Sequence, residues 1–163
     1  MSKTKSTIPI KEWLKAFETA AAEFAAGSMR FDARTEPVTD EVSRPGAYIA
    51  ILSDHNSIHL GLSTTGAGLR TLARGLLGLR ASESMTEKEV ADGVSEVMNI
   101  VAGKVKSAMT GRDGKLRLGL PMYLSSPIAA GPGMEVSTAE VKIGPVPCKL
   151  SVYRHTREEK KAA

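Results

Sequence analysis

Asp92, Glu96, Asn99 and Gly103 have types and spacing that could do chemistry together. On a helix advancing about 100° per residue, with Asp92 at zero, Glu96 falls near about +40°, Asn99 near about −20° and Gly103 near about +20°. Val94, Val97, Val101 and Val105 fall between roughly 140° and 220° on the same wheel. The valines make a core seam, and the other four residues share a stripe on the opposite side. A solvated helix face normally carries Lys, Glu, Ala, Arg or Gln. Asp, Asn and Gly are poor helix formers, and Gly alone costs about 1 kcal/mol relative to Ala. Three such residues on one outward stripe break the local rule, and such breaks tend to mark functional sites. A merely solvated face with weak helix formers is the plain alternative.

A carboxamide one turn from a carboxylate, with ~5–6 Å between Cβ atoms, is an orienting pair more than an acid–base pair. Asn has no titratable proton and cannot act as a general base. Its carboxamide can hold a water, accepting from it while donating to a neighbouring oxygen. Phosphoryl transfer uses such groups, because positioning and electrostatics carry most of its catalysis. Glu96 beside it could pair with a lysine of a docked partner. Gly103 would lower the helix surface and let another backbone approach beside Asn99.

The helix that carries the stripe is well signalled. Thr86-Glu87-Lys88-Glu89 supplies a capping box, and the valine period carries the helix to about Met109, with Gly111 as its stop. An earlier amphipathic helix is expected from Ile10 to Ala26, stopped by Gly27, with Trp13 and Phe17 in the core. Residues 29–46 read as an irregular or edge strand plus a loop. Ala47 to Leu52 and Ser57 to Leu62 form a hairpin around Asp54-His55-Asn56. Thr64 or Thr65 caps a helix running to about Leu77, closed by Gly78. Leu116, Leu118 and Leu120 alternate as a strand. Two more strands follow around Val136 to Ile143 and Cys148 to Val152, after a loop over Ser125 to Gly133. This order predicts a two-layer α/β (α+β) fold, its largely antiparallel sheet packed against long helices.

Length and composition bound the function. The 163 residues suit one domain, and 42% hydrophobic with 25% charged residues are ordinary for a globular protein. The net charge of +4 belongs to the ends: residues 1–7 and 154–163 carry two units each, leaving residues 8–153 neutral. Both ends are expected as flexible basic tails around a single domain over 8–153. With three Phe, three Tyr and one Trp, stacking platforms are scarce, so no nucleic-acid partner is expected. No apolar run approaches the ~20 residues of a membrane helix, and no signal-peptide block follows Met1 to Thr7. The expectation is no membrane partner and a cytoplasmic location. The single Cys148 suits a reducing compartment.

Asp92-x3-Glu96-x2-Asn99 followed by Pro121 resembles the motif of the CheC/CheX chemotaxis phosphatases, in which about 22 residues intervene between the Asn and a Pro. Here 21 residues separate Asn99 from Pro121, a slip of one. Glu96-Val97-Met98-Asn99-Ile100-Val101-Ala102-Gly103 and Gly119-Leu120-Pro121 look like the CheX branch. The resemblance implies a phosphatase acting on the phospho-aspartate of response-regulator receiver domains, in chemotaxis or two-component signalling. By that resemblance Glu96 salt-bridges the receiver's active-site lysine and Asn99 orients the attacking water. Asp92 matches the less constrained first position and Pro121 is structural, while the stripe itself makes Asp92 and Gly103 the expected partner contacts beside the working pair. The implied Mg²⁺ is held by the receiver, with no cofactor or metal of the chain's own. The family fold has pseudo-twofold halves, and some members carry a second motif on the first helix. Here that stretch reads Glu18-Thr19-Ala20-Ala21, with Ala where an Asn is needed, so one active site is expected. The resemblance also implies a homodimer.

The other chemistry-bearing residues read more simply. His55 and His59 fall in a turn and a strand, with no third zinc ligand in view. Gly66-Ala67-Gly68 opens a helix but has Thr71 where a dinucleotide loop needs its third glycine. Cys148 alternates with Leu150 and Val152 as a buried strand residue. No residue pattern around Ser125 and Ser126 marks either as a nucleophile. Two function classes remain: a water-positioning phosphatase, or a non-catalytic receiver-binding or dimeric module of the same fold.

Overall fold

Helix α1 (Ile10–Ser28) buries Trp13, Leu14, Phe17, Ala20, Ala21 and Phe24, the face that the apolar period marks. It continues through Gly27, expected as its stop, and ends where Met29 becomes extended at φ −101°. A computed structural model describes residues 8–31, 44–54, 56–80 and 82–156 of the chain. Residues 1–7 and 157–163, most of the 29–46 segment, and His55 lie outside the described residues.

Strands β1 (Gly46–Leu52) and β2 (Asn56–Ser63) form the expected hairpin, with Ile51 opposite Ile58. Its turn is fastened by Ser53 and Asn56: the Ser53 amide donates to the Asn56 carbonyl at 3.0 Å, and the Asn56 amide donates to Ser53 Oγ at 2.9 Å. Helix α2 (Gly66–Leu77) starts at Thr65, whose side chain accepts from the Gly68 amide at 3.0 Å. Gly78 closes it in the left-handed region at φ 67°, where glycine has no Cβ to clash.

Helix α3 (Glu87–Met109) is capped by Thr86, whose Oγ1 accepts from the Glu89 amide at 3.2 Å. Glu87 and Glu89 in its first turn and Lys106 in its last complement the helix dipole. After it come β3 (Arg117–Leu118), β4 (Met122–Leu124), β5 (Met134–Ile143) and β6 (Val146–Thr156). The strands make one six-stranded sheet in the order β3-β1-β2-β6-β5, with β4 also on β1. Every pairing is antiparallel. The three helices cover one face, α1 lying over β5 and β6 and α3 over β1, β3 and β4, with α2 against α3. This is the two-layer mixed fold with an antiparallel sheet that the sequence predicts.

Two further expectations need correction. Leu116, Leu118 and Leu120 do not share one strand: Leu116 is buried, β3 stops at Leu118, and Leu120 is 90% exposed. Continuing the β3 register would set Pro121 against Tyr48, but Met122 takes that place. Leu120 and Pro121 therefore stand together against Ile49 as a bulge, and Pro121, lacking an N–H, cannot continue the ladder. The second correction concerns the carboxyl-terminal tail. β6 runs three residues into it, and Arg154 is 5% exposed. Its guanidinium donates to both Glu135 carboxylate oxygens, at 2.8 and 2.9 Å, and to the Ile8 carbonyl.

The face of the sheet away from the helices is also partly covered. Tyr48 lies over Gly61, where an added Cβ would meet the ring at 2.4 Å. Tyr153 donates to the Ile128 carbonyl at 3.3 Å, pinning the 125–133 loop over this face. His59, opposite Tyr153 on the same face, has a buried Nδ1 with no partner among the described residues. Burial, and secondarily the nearby His155, hold its pKa below 6.5. The folded state therefore resists a proton that the unfolded chain accepts, so stability is full above about pH 6.5 and falls as pH drops through that value. The urea midpoint should fall between about pH 7.5 and about pH 5.5, and fall less in His59→Gln. An equal drop in both proteins would remove His59 from the account.

Candidate functional site

Helix α3 is fixed by one face. Val94, Val97, Val101 and Val105 are all at most 1% exposed, and Met98, Ala102 and Met109 extend the seam. Burying each such valine contributes roughly 1.5–3 kcal/mol. That outweighs the ~0.5–1 kcal/mol each poor helix former costs on the outer face. The stripe is thus carried by a helix whose stability comes from elsewhere.

Asp92, Glu96 and Asn99 are exposed and Gly103 is half-buried. None of the ion pairs among the described residues uses the two carboxylates. The glycines of α3 differ in what they do. A Cβ on Gly93 would lie 2.9 Å from the Cβ of Ala73, so Gly93 lets α2 pack closely. A Cβ on Gly103 would meet nothing within 4 Å, so no contact within the described fold requires glycine there. Gly103 leaves open space beside Asn99. The spacing read from the sequence therefore yields one outward strip: carboxylates at Asp92 and Glu96, the Asn99 carboxamide, and a lowered surface at Gly103. Pro121 sits in the bulge of the strand edge that packs against α3.

The remaining candidates fall away from this strip. Cys148 is 2% exposed, and burial pushes its thiol up to about 12, so it is no nucleophile at neutral pH. A Cβ on Gly68 would meet Thr64 Oγ1 at 2.5 Å, so that glycine serves close packing and not an anion cradle. Ala20 and Ala21, where a second motif would need its Asn, are buried in the core. Trp13 is core as expected. Among the described residues no three His, Cys, Asp or Glu side chains converge to hold a metal, and no helix is long and apolar enough to cross a membrane.

The apolar edge beside α3 escapes the sequence reading. Leu120, Met122 and Tyr123 are 90%, 52% and 37% exposed. The one available signal was Pro121 inside a strand-like run, since proline does not sit within a central strand.

A family model described as the chemotaxis phosphatase CheX matches residues 46–130, just over half of the chain. The matched segment runs from β1 past β4, taking in all of α3 and Pro121. No curated protein matches the sequence. Solved structures share the fold at low identity. A CheC-like superfamily protein from Shewanella sp. PV-4 is 14% identical with a TM-score of 0.68, over 88% of this chain and 97% of that one. The chemotaxis protein CheX from Vibrio vulnificus is 13% identical with a TM-score of 0.66, over 91% and 100%. A chain of the CheX–CheY–BeF3–Mg²⁺ complex from Borrelia burgdorferi is 11% identical with a TM-score of 0.64, over 90% and 97%. With its fold and the family match in agreement, the chain belongs to the CheX family of chemotaxis phosphatases.

Proposed function

We propose that this protein hydrolyses the phospho-aspartate of a response-regulator receiver domain, with Asn99 and Glu96 of α3 as the working side chains. The observation that carries the reading is the outward strip on α3, where Asp, Asn and Gly stand against helix propensity and no contact among the described residues requires glycine at Gly103. A receiver as partner is supported by the CheX–CheY complex of Borrelia burgdorferi among the structures of like fold.

In the reaction a water attacks phosphorus, the bond from phosphorus to the aspartyl oxygen breaks, and carboxylate and inorganic phosphate separate. The Asn99 carboxamide oxygen accepts from the attacking water while its amide donates to a neighbouring oxygen, fixing the water in line. Mg²⁺ belongs to the receiver, where it neutralises charge on the phosphoryl oxygens. Glu96 pairs with the receiver's active-site lysine and sets the depth of docking. Asp92 and Gly103 flank the contact, and Pro121 keeps the strand edge bulged. The same reading places the protein in the cytoplasm, with two copies pairing so that each α3 strip stays open.

Glu96→Ala should act chiefly on docking. The phospho-receiver concentration for half-maximal rate should rise about tenfold, the loss of roughly one charge-assisted contact, while kcat stays within about twofold. An unchanged half-saturating concentration would contradict the docking role.

A further inference from the structure

We infer that Leu120, with Tyr123 beside it, is an apolar anchor for the same receiver domain, next to the polar strip of α3. The inference rests on the phosphatase reading above and names a specificity-determining contact for it. Leu120 is 90% exposed, and no core contact accounts for a leucine there. The chain leaves α3 at Met109, turns, and returns along its flank as β3 and β4, both of which pack on α3. Asn99 lies ~15 Å up the helix axis from Met109, at ~1.5 Å per residue. Leu120 lies ~13 Å along the returning chain from Leu116, at ~3.3 Å per residue. The two lengths are similar, so the returning chain carries Leu120 along the flank of α3 towards Asn99.

The bulge makes this edge unfit for strand addition by a second copy. β3 has two residues and β4 three, the register slips between them, and Pro121 offers no N–H. What the edge does offer is side chains. Tyr123 shares the helix side of the sheet, opposite Ala47, whereas Met122 lies on the other side, opposite Tyr48. A receiver seated on the strip therefore meets a polar strip on α3 and an apolar ridge at its flank. Charge contacts fix its register, and apolar burial supplies much of the affinity.

Leu120→Ser tests this cleanly because the side chain is outside the core. The assays use phosphorylated receivers from the same organism for turnover, and the receiver charged with beryllofluoride and Mg²⁺ for equilibrium binding. Leu120→Ser should raise KM and Kd about tenfold with kcat within about twofold, and Leu120→Met should restore both. If the native protein is active but Leu120→Ser matches it in KM and Kd, the anchor is overturned while the phosphatase reading stands. If Leu120→Ser instead lowers the protein's own oligomeric mass and leaves receiver affinity unchanged, the edge belongs to a second copy and the proposal fails. Should the native protein neither bind nor dephosphorylate any receiver, both readings fall together.

Discussion

Asn99→Ala should bring phosphate loss from a phosphorylated receiver back to the receiver's own rate. A residue that positions the attacking water accounts for on the order of 100-fold or more in rate. The substitution also separates function from folding. Asn99 is exposed on α3, and alanine is the better helix former by roughly 0.5–0.7 kcal/mol. The variant should therefore be as stable as the native protein or slightly more so, with a Tm that does not fall. Loss of activity with unchanged or raised stability marks a residue kept for chemistry. Wild-type turnover by Asn99→Ala would mean that another group holds the water.

Arg154→Met should destabilise the fold by about 2–3 kcal/mol in urea unfolding. It removes a buried guanidinium and leaves the Ile8 carbonyl, at the approach to α1, without its donor. Glu135 is half exposed and regains water, which keeps the cost below that of breaking a fully buried pair. A change under about 0.5 kcal/mol is what a solvated tail residue would give, and it would contradict the place of Arg154 in the sheet.

These two residues also show what the sequence makes legible. Asn99 stands out because its information is local. The Thr86 cap, the valine period and helix propensity all lie within α3, so a rule broken there is visible without knowledge of any partner. The hairpin is legible for the same reason, its turn residues lying between its strands. Arg154 was hidden because its partner, Glu135, sits 19 residues away on the neighbouring strand. A basic residue near a charged end reads as solvated until that pairing is known. Leu120 eludes the sequence for a related reason. The alternation of Leu116, Leu118 and Leu120 is a strand pattern, but the bulge at Pro121 is defined only by register against β1. Gly27 shows the milder case, in which the buried face of α1 carries the helix past a residue that favours stopping.

The most direct test of the central claim is the rate of phosphate loss from receivers phosphorylated with a small phosphodonor and Mg²⁺, with and without the native protein. The account predicts that catalytic amounts of this protein speed the loss from at least one receiver of the same organism, and that Asn99→Ala does not. Unchanged decay across all of that organism's receivers, with the protein bound to one of them, would contradict it and leave a receiver-binding module of the CheX fold.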